Sequence, residues 1–383
     1  MRLVIVQNIL RDYNHWMFRD LATVTGLDVV VVYGESPPEN RKFSSVVNPS
    51  IPCRCLPTRQ WVLPEMILSR MVGLAATLRE LAPDVVMVEG ESNFINNETV
   101  RRYCMANGVP FVWWSMGKWS DAPIWNPRRR LLHALVVGRQ LRQAAVILAY
   151  SNAGAAYYRA IGIPEAKVRV AVNFLSDAFW APVIEQARDG VPRVRKELAL
   201  EGKVSLLLTG TLVRSKGVGE FLRCFELAKG DPELASLCGV VMGDGPERAA
   251  LEAHARELGL PVTFTGWLDR ERASEVLLAC DASVSLGHGG LNLSQAMIHG
   301  RAILTGPADG TERDLIADGE NGCLLPDGTA ESLLAALRRL QAAGGDWNAM
   351  GAASLRRHRE RYNITQWARS VEAAAEAAVA ARE

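Results

Sequence analysis

Short, nearly continuous apolar runs punctuate the chain, separated by longer segments in which apolar residues recur every three or four positions. In the first half the runs are LVIVQ (3–7), VVVVY (29–33), VVMVE (85–89), FVWWS (111–115), VILAY (146–150) and VRVAV (168–172). Strand-length runs without polar alternation predict strands buried on both faces, as in a parallel sheet covered by helices. Helical spacing over 64–81 and 97–107 predicts two of the covering helices. The second half repeats the plan with VSLLLTG (204–210), CGVVMG (238–243), VTFTG (262–266), ASVSLG (282–287), AILTG (302–306) and GCLLP (322–326). Helices are expected there over 217–229, 246–258, 270–278 and 294–299. The fold class is therefore α/β, with two Rossmann-like doubly wound domains. A polar stretch, 177–202, holds Pro182, Gly190 and Pro192 and sets the junction just before it. The Ala- and Arg-rich segment 330–383 is helical by composition. Ligands of open α/β sheets bind beyond the carboxyl ends of the strands, so a cleft lined by those ends is the expected site.

Composition narrows the class. Hydrophobic residues make up 49% of the 383 and charged residues 22%, which excludes wholesale disorder. The 43 Lys and Arg against 42 Asp and Glu leave a net charge of +1, without the basic excess of a nucleic-acid binder. No run of about 18 apolar residues predicts a membrane span. The opening MRLVIVQN reads as a strand and not as a signal peptide. Seven cysteines without a C-x-x-C pair, mostly inside apolar segments, point to a reducing, cytoplasmic setting.

Three segments carry candidate chemistry. GTLVRSKGV (210–218) follows a strand and precedes a helix, placing Gly210, Arg214 and Lys216 where helix amides and cations suit a phosphate. Its order is not that of a Walker loop. MGDGPE (242–247) repeats strand, tight turn and helix, with Gly243 at the turn; alone it reads better as a plain turn capped by Asp244. LGHGGLNLSQAMIHGRAIL (286–304) leaves the amides of Gly289, Gly290 and Leu291 around His288 free to meet an anion, reinforced by the following helix. The HGG string suggests a hydrolase oxyanion loop, but the chain lacks a G-x-S-x-G elbow and that reading is discarded. His299 reads as structural. Loops after the first-half strands offer Asn8, Tyr13, His15, Glu89, Glu91, Lys118 and Trp119, a mixture suited to sugar faces and hydroxyls and equally to an ordinary polar rim. No residue spacing favours a metal site. The segment 128–142, with Arg128, Arg129, Arg130, Arg139 and Arg142, reads as an amphipathic helix compatible with anionic lipid, although an ordinary solvated face is the better explanation.

Taken in order, GTLVRSKGVGEFLRCF, VVMGDGPERAALE, VTFTGWL, LLACDASVSLG, GGLNLSQAMIHGRAIL and ERDLIADGENGCLLP resemble the retaining nucleotide-sugar glycosyltransferases of GT-B architecture, in the family-four (group 1) type. The resemblance implies an acceptor-binding domain over 1–174, a donor-binding domain over 175–365 and a helix over 366–383 that crosses back to the first domain. It implies Lys216 and Arg214 on the donor diphosphate, with His288 beside them. Gly210, Thr211, Gly243, Gly289, Gly290, Leu291 and Asn292 would line the donor site, with Trp267 and Leu268 near the base and Gln295 on the ribose. The acceptor set would be Asn8, Tyr13, His15, Glu91, Lys118 and Trp119. The sequence departs from the family pattern at Thr211, at Met116 and, above all, at Gly287, which stands where a glutamate is expected; Gln295 replaces the second glutamate. The implied activity is metal-independent transfer, without a cofactor, of a sugar from a nucleotide-diphosphate sugar to a glycan or lipid-linked acceptor, with no nucleic acid involved. The alternative is a non-catalytic homologue that binds the nucleotide sugar or serves in assembly.

Overall fold

The computed structural model describes residues 1–35, 50–63, 66–90, 93–117, 127–287, 289 and 291–382. The chain forms two compact units. One comprises Met1–Ser176 and Ile364–Glu383, the other Asp177–Asn363.

The first unit is built on a parallel sheet of β1 (Arg2–Gln7), β2 (Asp28–Gly34), β3 (Cys53–Leu56), β6 (Val85–Glu89), β7 (Phe111–Ser115), β8 (Val146–Ala149) and β9 (Val168–Val170). Their order is β3-β2-β1-β6-β7-β8-β9. Register pairs Leu3 with both Val29 and Val85. Because strand side chains alternate between faces, β1 sends Val4 and Val6 to one core and Leu3 and Ile5 to the other, all fully buried. That double burial explains why the run lacks polar alternation.

The last helix, Ile364–Ala380, covers one of those faces. Ile364, Trp367, Ala368, Val371, Ala374, Ala375 and Ala378 form its buried stripe, the i, i+3, i+4, i+7 pattern of a helix on a sheet. Trp367 meets Trp114 of β7 at 5.8 Å and Phe18 at 6.3 Å between ring centroids. Alanines along the stripe let the helix lie close, and the tryptophan fills the space they leave.

Residues 64–81, expected as one helix, divide differently. Thr58–Leu63 (β4) and Met66–Met71 (β5) pair antiparallel, and only Leu74–Leu81 is helical. Leu63, Ile67, Leu68, Met71, Leu74 and Leu78 fit helical spacing throughout, so periodicity alone cannot separate a short strand from a helix here. The segment 128–142 lies in the helix Pro127–Gln143; the side chains of Arg128, Arg129 and Arg130 fall outside the described residues.

The second unit has the parallel strands β10 (Val204–Thr209), β11 (Leu237–Met242), β12 (Val262–Gly266), β13 (Ala282–Ser285), β14 (Ala302–Thr305) and β15 (Gly322–Leu324) in the order β12-β11-β10-β13-β14-β15. Leu206 and Leu208 face a core containing Phe221, Phe225 and Leu333, whereas Leu207 faces Val194, Leu200 and Val276. The polar stretch beginning at 177 forms the helices Asp177–Ala187 and Val191–Glu197. Both belong to this unit. Among the described residues, no helix is long and apolar enough to cross a membrane. All seven cysteines are unpaired.

His299 ends the helix Asn292–Ile298 and is buried. Its Nδ1 lies 2.7 Å from the Gln295 carbonyl, which can only accept, so the proton resides on Nδ1. Nε2 then accepts from the Ser274 hydroxyl at 3.0 Å, and the ring meets Trp180 edge-on at 5.7 Å. Burial pushes its pKa down to about 4. A histidine with a depressed pKa is protonated in the unfolded chain before it is protonated in the fold, so stability falls as pH drops from 6.5 towards 4. The expected loss over that range from His299 is about 3 kcal/mol. Urea unfolding at pH 7 and pH 4 checks this: His299→Gln should lose less on acidification than the wild type, and equal losses would refute it.

Candidate functional site

In each sheet the strand order reverses beside one strand, β1 in the first unit and β10 in the second. Connections on either side of such a strand leave in opposite directions and open a crevice at its carboxyl end. In the second unit, the loops flanking that crevice follow β10 and β13. These two loops contain nearly all the residues expected on the donor diphosphate.

The loop after β10 is held by backbone contacts. Gly210 donates to Met242 O at 3.0 Å, Leu212 to Asp244 O at 2.9 Å, and Gly243 to Gly266 O at 2.9 Å. The turns after β10, β11 and β12 are thereby joined. A Cβ at Gly243 would stand 1.9 Å from Gly210 O, and φ there is 141°, so only glycine fits. A tight turn over Arg214–Lys216 follows, and the helix Val218–Leu227 begins beyond Gly217.

Lys216 folds back from this turn. Its Cε lies 3.7 Å from the point where a Gly210 Cβ would stand, and Asn292 Nδ2 lies 3.6 Å from the same point. Asn292 donates that amide to Thr209 O at 2.8 Å, tying the Asn292–Ile298 helix to the end of β10. Lys216 is half-buried. Burial lowers its pKa, and the nearby Asp309 carboxylate partly restores it. The result is a cation partly drawn out of bulk water and facing a carboxylate that favours its charged form, a suitable partner for an anion that displaces solvent.

The remaining predicted donor residues are placed variously. Arg214 and Thr211 are exposed on the same loop, Leu291 and Gln295 are half-buried, and Gly289 is buried. Trp267 is 63% exposed, whereas its neighbour Leu268 packs against the core beneath β11. His288 and Gly290 lie outside the described residues.

Gly287 explains the vacant carboxylate. A Cβ at that position would stand 2.0 Å from Ser215 O and 3.2 Å from the carbonyl carbon of Lys216. The two loops touch backbone to backbone, so no side chain can be carried there unless one loop moves.

Asp309, which the sequence reading passed over, belongs to this group. It lies in the loop after β14 and accepts from Thr311 N at 3.1 Å, while Glu312 accepts from Gly310 N at 2.8 Å. Adjacent Ala308 approaches the Gly289 loop, 3.4 Å from where a Gly289 Cβ would stand. The available signal was positional: β14 neighbours β13, and its next loop opens at the same end of the sheet.

In the first unit, Asn8 and Glu89 meet at the ends of β1 and β6, with Asn8 N donating to Glu89 Oε2 at 3.5 Å. Ser69 donates to Asn8 Oδ1, and Tyr13 feels the Glu89 charge. Burial raises the pKa of both Glu89 and Tyr13. His15 is placed otherwise. It is buried, and its Nε2 accepts the Ser50 backbone N–H at 3.0 Å. Glu91, Lys118 and Trp119 lie outside the described residues, and Met116 is exposed before the left-handed Gly117. Among the described residues, no three His, Cys, Asp or Glu side chains gather as a metal-binding group.

With this geometry in view, two family comparisons are decisive. The sequence pattern of "Glycosyl transferases group 1" matches residues 191–355, and that of "Glycosyl transferase 4-like domain" matches residues 11–173. The chain belongs to the group 1 glycosyltransferases. No curated protein matches it by sequence. Among solved structures, this glycosyltransferase is similar to HepE of Anabaena (TM-score 0.74, 15% identity, 97% of this chain and 98% of that one). It is also similar to sucrose-phosphate synthase of Thermosynechococcus elongatus (TM-score 0.72, 16% identity, 97% and 98%) and to the lipopolysaccharide outer core galactosyltransferase WaaB (0.68, 15%, 97% and 99%). These likenesses establish the GT-B fold.

Two substitutions test the local reading. Gly287→Ala should destabilise by ~1–3 kcal/mol through the Ser215 contact, and urea unfolding unchanged from wild type would refute the close approach. Glu89→Gln keeps an acceptor for Asn8 and removes a buried charge. Since the folded pKa of Glu89 is raised, its contribution to stability is present below the unfolded value and is lost as pH rises. The variant should therefore gain stability over wild type at pH 7 and match it at pH 4; a gain independent of pH would count against the assignment.

Proposed function

We propose that this glycosyltransferase is a retaining, metal-independent enzyme that transfers a sugar from a nucleotide-diphosphate sugar to a hydroxyl of a glycan or lipid-linked acceptor. The observation that carries the reading is Lys216, half-buried beside Asp309 and folded towards the bare backbone of Gly210 at the strand-order reversal. Uridine diphosphate is the first donor nucleotide to test, since HepE structures are described in complex with UDP and with UDP-glucose.

Transfer of this kind requires stabilisation of the leaving diphosphate as the anomeric bond lengthens. Lys216 and Arg214 supply positive charge at that point, and pre-placed charge costs no reorganisation during the reaction. The leaving phosphate oxygen takes the acceptor's proton, so neither a protein nucleophile nor a strong protein base is needed. Asn8, Tyr13 and Glu89 form the acceptor side, and the second unit holds the donor. The unpaired cysteines support a cytoplasmic setting. Roles for His288 and Gly290 belong to the same proposal through the family pattern.

A second reading is a non-catalytic nucleotide-sugar binder. It is favoured by Gly287, where the backbone contact excludes the family carboxylate, and by Gln295 at the second carboxylate position.

A panel of UDP-, GDP-, ADP- and dTDP-sugars separates the readings by thermal shift and by release of free nucleotide. One nucleotide should raise the melting temperature by mass action, with turnover unaffected by EDTA and a product of unchanged anomeric configuration by NMR. Lys216→Ala should lower turnover by ~10²-fold or more. Binding without turnover supports the second reading, and absence of any binding overturns both.

A further inference from the structure

The β4–β5 ribbon lies outside the seven-stranded sheet of the first unit. Its pairs are Thr58–Met71, Arg59–Arg70, Gln60–Ser69, Trp61–Leu68, Val62–Ile67 and Leu63–Met66. Alternate pairs share a face. One face is tied to the unit: Met71 and Ser69 are buried, Met71 N donates to Asn96 Oδ1 at 2.8 Å, and Ser69 Oγ donates to Asn8 Oδ1. By alternation, the opposite face carries Arg59 with Arg70 and then Trp61 with Leu68. The ladder runs on to the Leu63–Met66 pair. Both arginines are exposed, and Trp61 is 45% exposed.

Two features of this face call for a partner. Like charges directly opposite each other on a ribbon repel, and neither guanidinium has a carboxylate partner among the described residues. A tryptophan and a leucine then stand beside the cations in the direction of the tip, which spends hydrophobic surface on water. The acid of the segment, Glu65, lies outside the described residues. Cations at the base and apolar residues towards the tip, about 7 Å apart over the two residues from Arg59 to Trp61, match the layering of a membrane interface. There phosphate lies above acyl chains, and tryptophan favours the boundary. A glycan would account for the arginines and the tryptophan but not for Leu68 beside them.

We propose that the outward face of the β4–β5 ribbon docks on an anionic lipid surface, with Arg59 and Arg70 on lipid phosphates and Trp61 and Leu68 at the acyl boundary. The ribbon's inner face holds Asn8. If the acceptor is lipid-linked, which rests on the function proposed above, docking brings that lipid to the acceptor side of the unit. Docking itself does not depend on transfer activity.

The test is co-sedimentation of the full chain with vesicles of phosphatidylcholine alone or with 30% phosphatidylglycerol, a composition chosen for the assay, at low and high salt. The wild type should bind the anionic vesicles and release partly at high salt. Arg59→Glu/Arg70→Glu should weaken partitioning by ~30-fold or more, following ~1 kcal/mol for each basic residue near an anionic surface. Trp61→Ala should weaken binding at both salt concentrations. Circular dichroism and thermal melting unchanged from wild type show that the variants fold. Wild-type binding by the double variant, or loss of binding only in Arg128→Glu/Arg129→Glu/Arg130→Glu, would overturn the proposal. So would a change of oligomeric state in sedimentation velocity on charge reversal, which would make the face a contact between copies of this chain. Nucleotide binding measured in parallel separates failure of this proposal from failure of the proposed transferase function.

Discussion

The second unit depends on backbone lying directly against backbone. Gly243 approaches Gly210 O, Gly287 approaches Ser215 O, and Gly328 approaches Leu286 O, each so closely that a Cβ would stand about 2 Å from a carbonyl oxygen. The turns after β10, β11, β13 and β15 can crowd one end of the sheet only because these positions carry no side chain. This crowding has a direct chemical consequence. It places the Arg214–Lys216 turn against the loop after β13, where Lys216 loses water, which lowers its pKa, and the Asp309 carboxylate acts in the opposite direction. Packing and the placement of Lys216 at this end of the sheet therefore share one constraint, and a glycine lost for packing reasons would also displace the cation.

The same constraint bears on the missing carboxylate. A glutamate at position 287 would need room that the Ser215 carbonyl occupies, so the departure from the family pattern involves the path of two loops and not one side chain. Negative charge is present nearby, but it enters from a different strand, through Asp309 and Glu312 after β14. The Asp309 carboxylate acts on Lys216 through space, raising a pKa that burial lowers.

The runs in the sequence made the sheets legible because a strand buried on both faces is apolar along most of its length without polar alternation, as in β1, β10 and β11. Ends of strands were legible through glycines, since Gly210, Gly243 and Gly266 all adopt positive φ. The β4–β5 ribbon was not legible, because its apolar spacing suits a helix equally and its one buried face is short. Site residues were legible where a motif places them on one loop, as for Gly210 and Lys216. Asp309 depends on the neighbouring of β13 and β14, which spacing in the chain does not encode. His15 shows the converse: it occupies a suitable stretch of sequence, yet the helix Asp12–Thr25 turns it inward to Ser50. The Asn292 amide likewise serves Thr209, a tertiary contact that no local pattern announces.

A chain with a net charge of +1 offers no general attraction to anions. Recognition of a diphosphate or of a lipid phosphate must then be local, and the fold provides two different local arrangements. At Lys216 a cation is half-buried among glycine-bearing loops and balanced by Asp309, which suits a small anion that replaces water in a fitted site. At Arg59 and Arg70 two cations stand exposed and opposed on a ribbon, beside apolar residues and without a balancing carboxylate among the described residues, which suits an extended anionic surface. Burial separates the two. Desolvation strengthens an individual contact and makes it selective, whereas exposed charges are screened and act together through proximity to many anions. A neutral protein can in this way bind one anion tightly and another weakly without the two competing for the same cations.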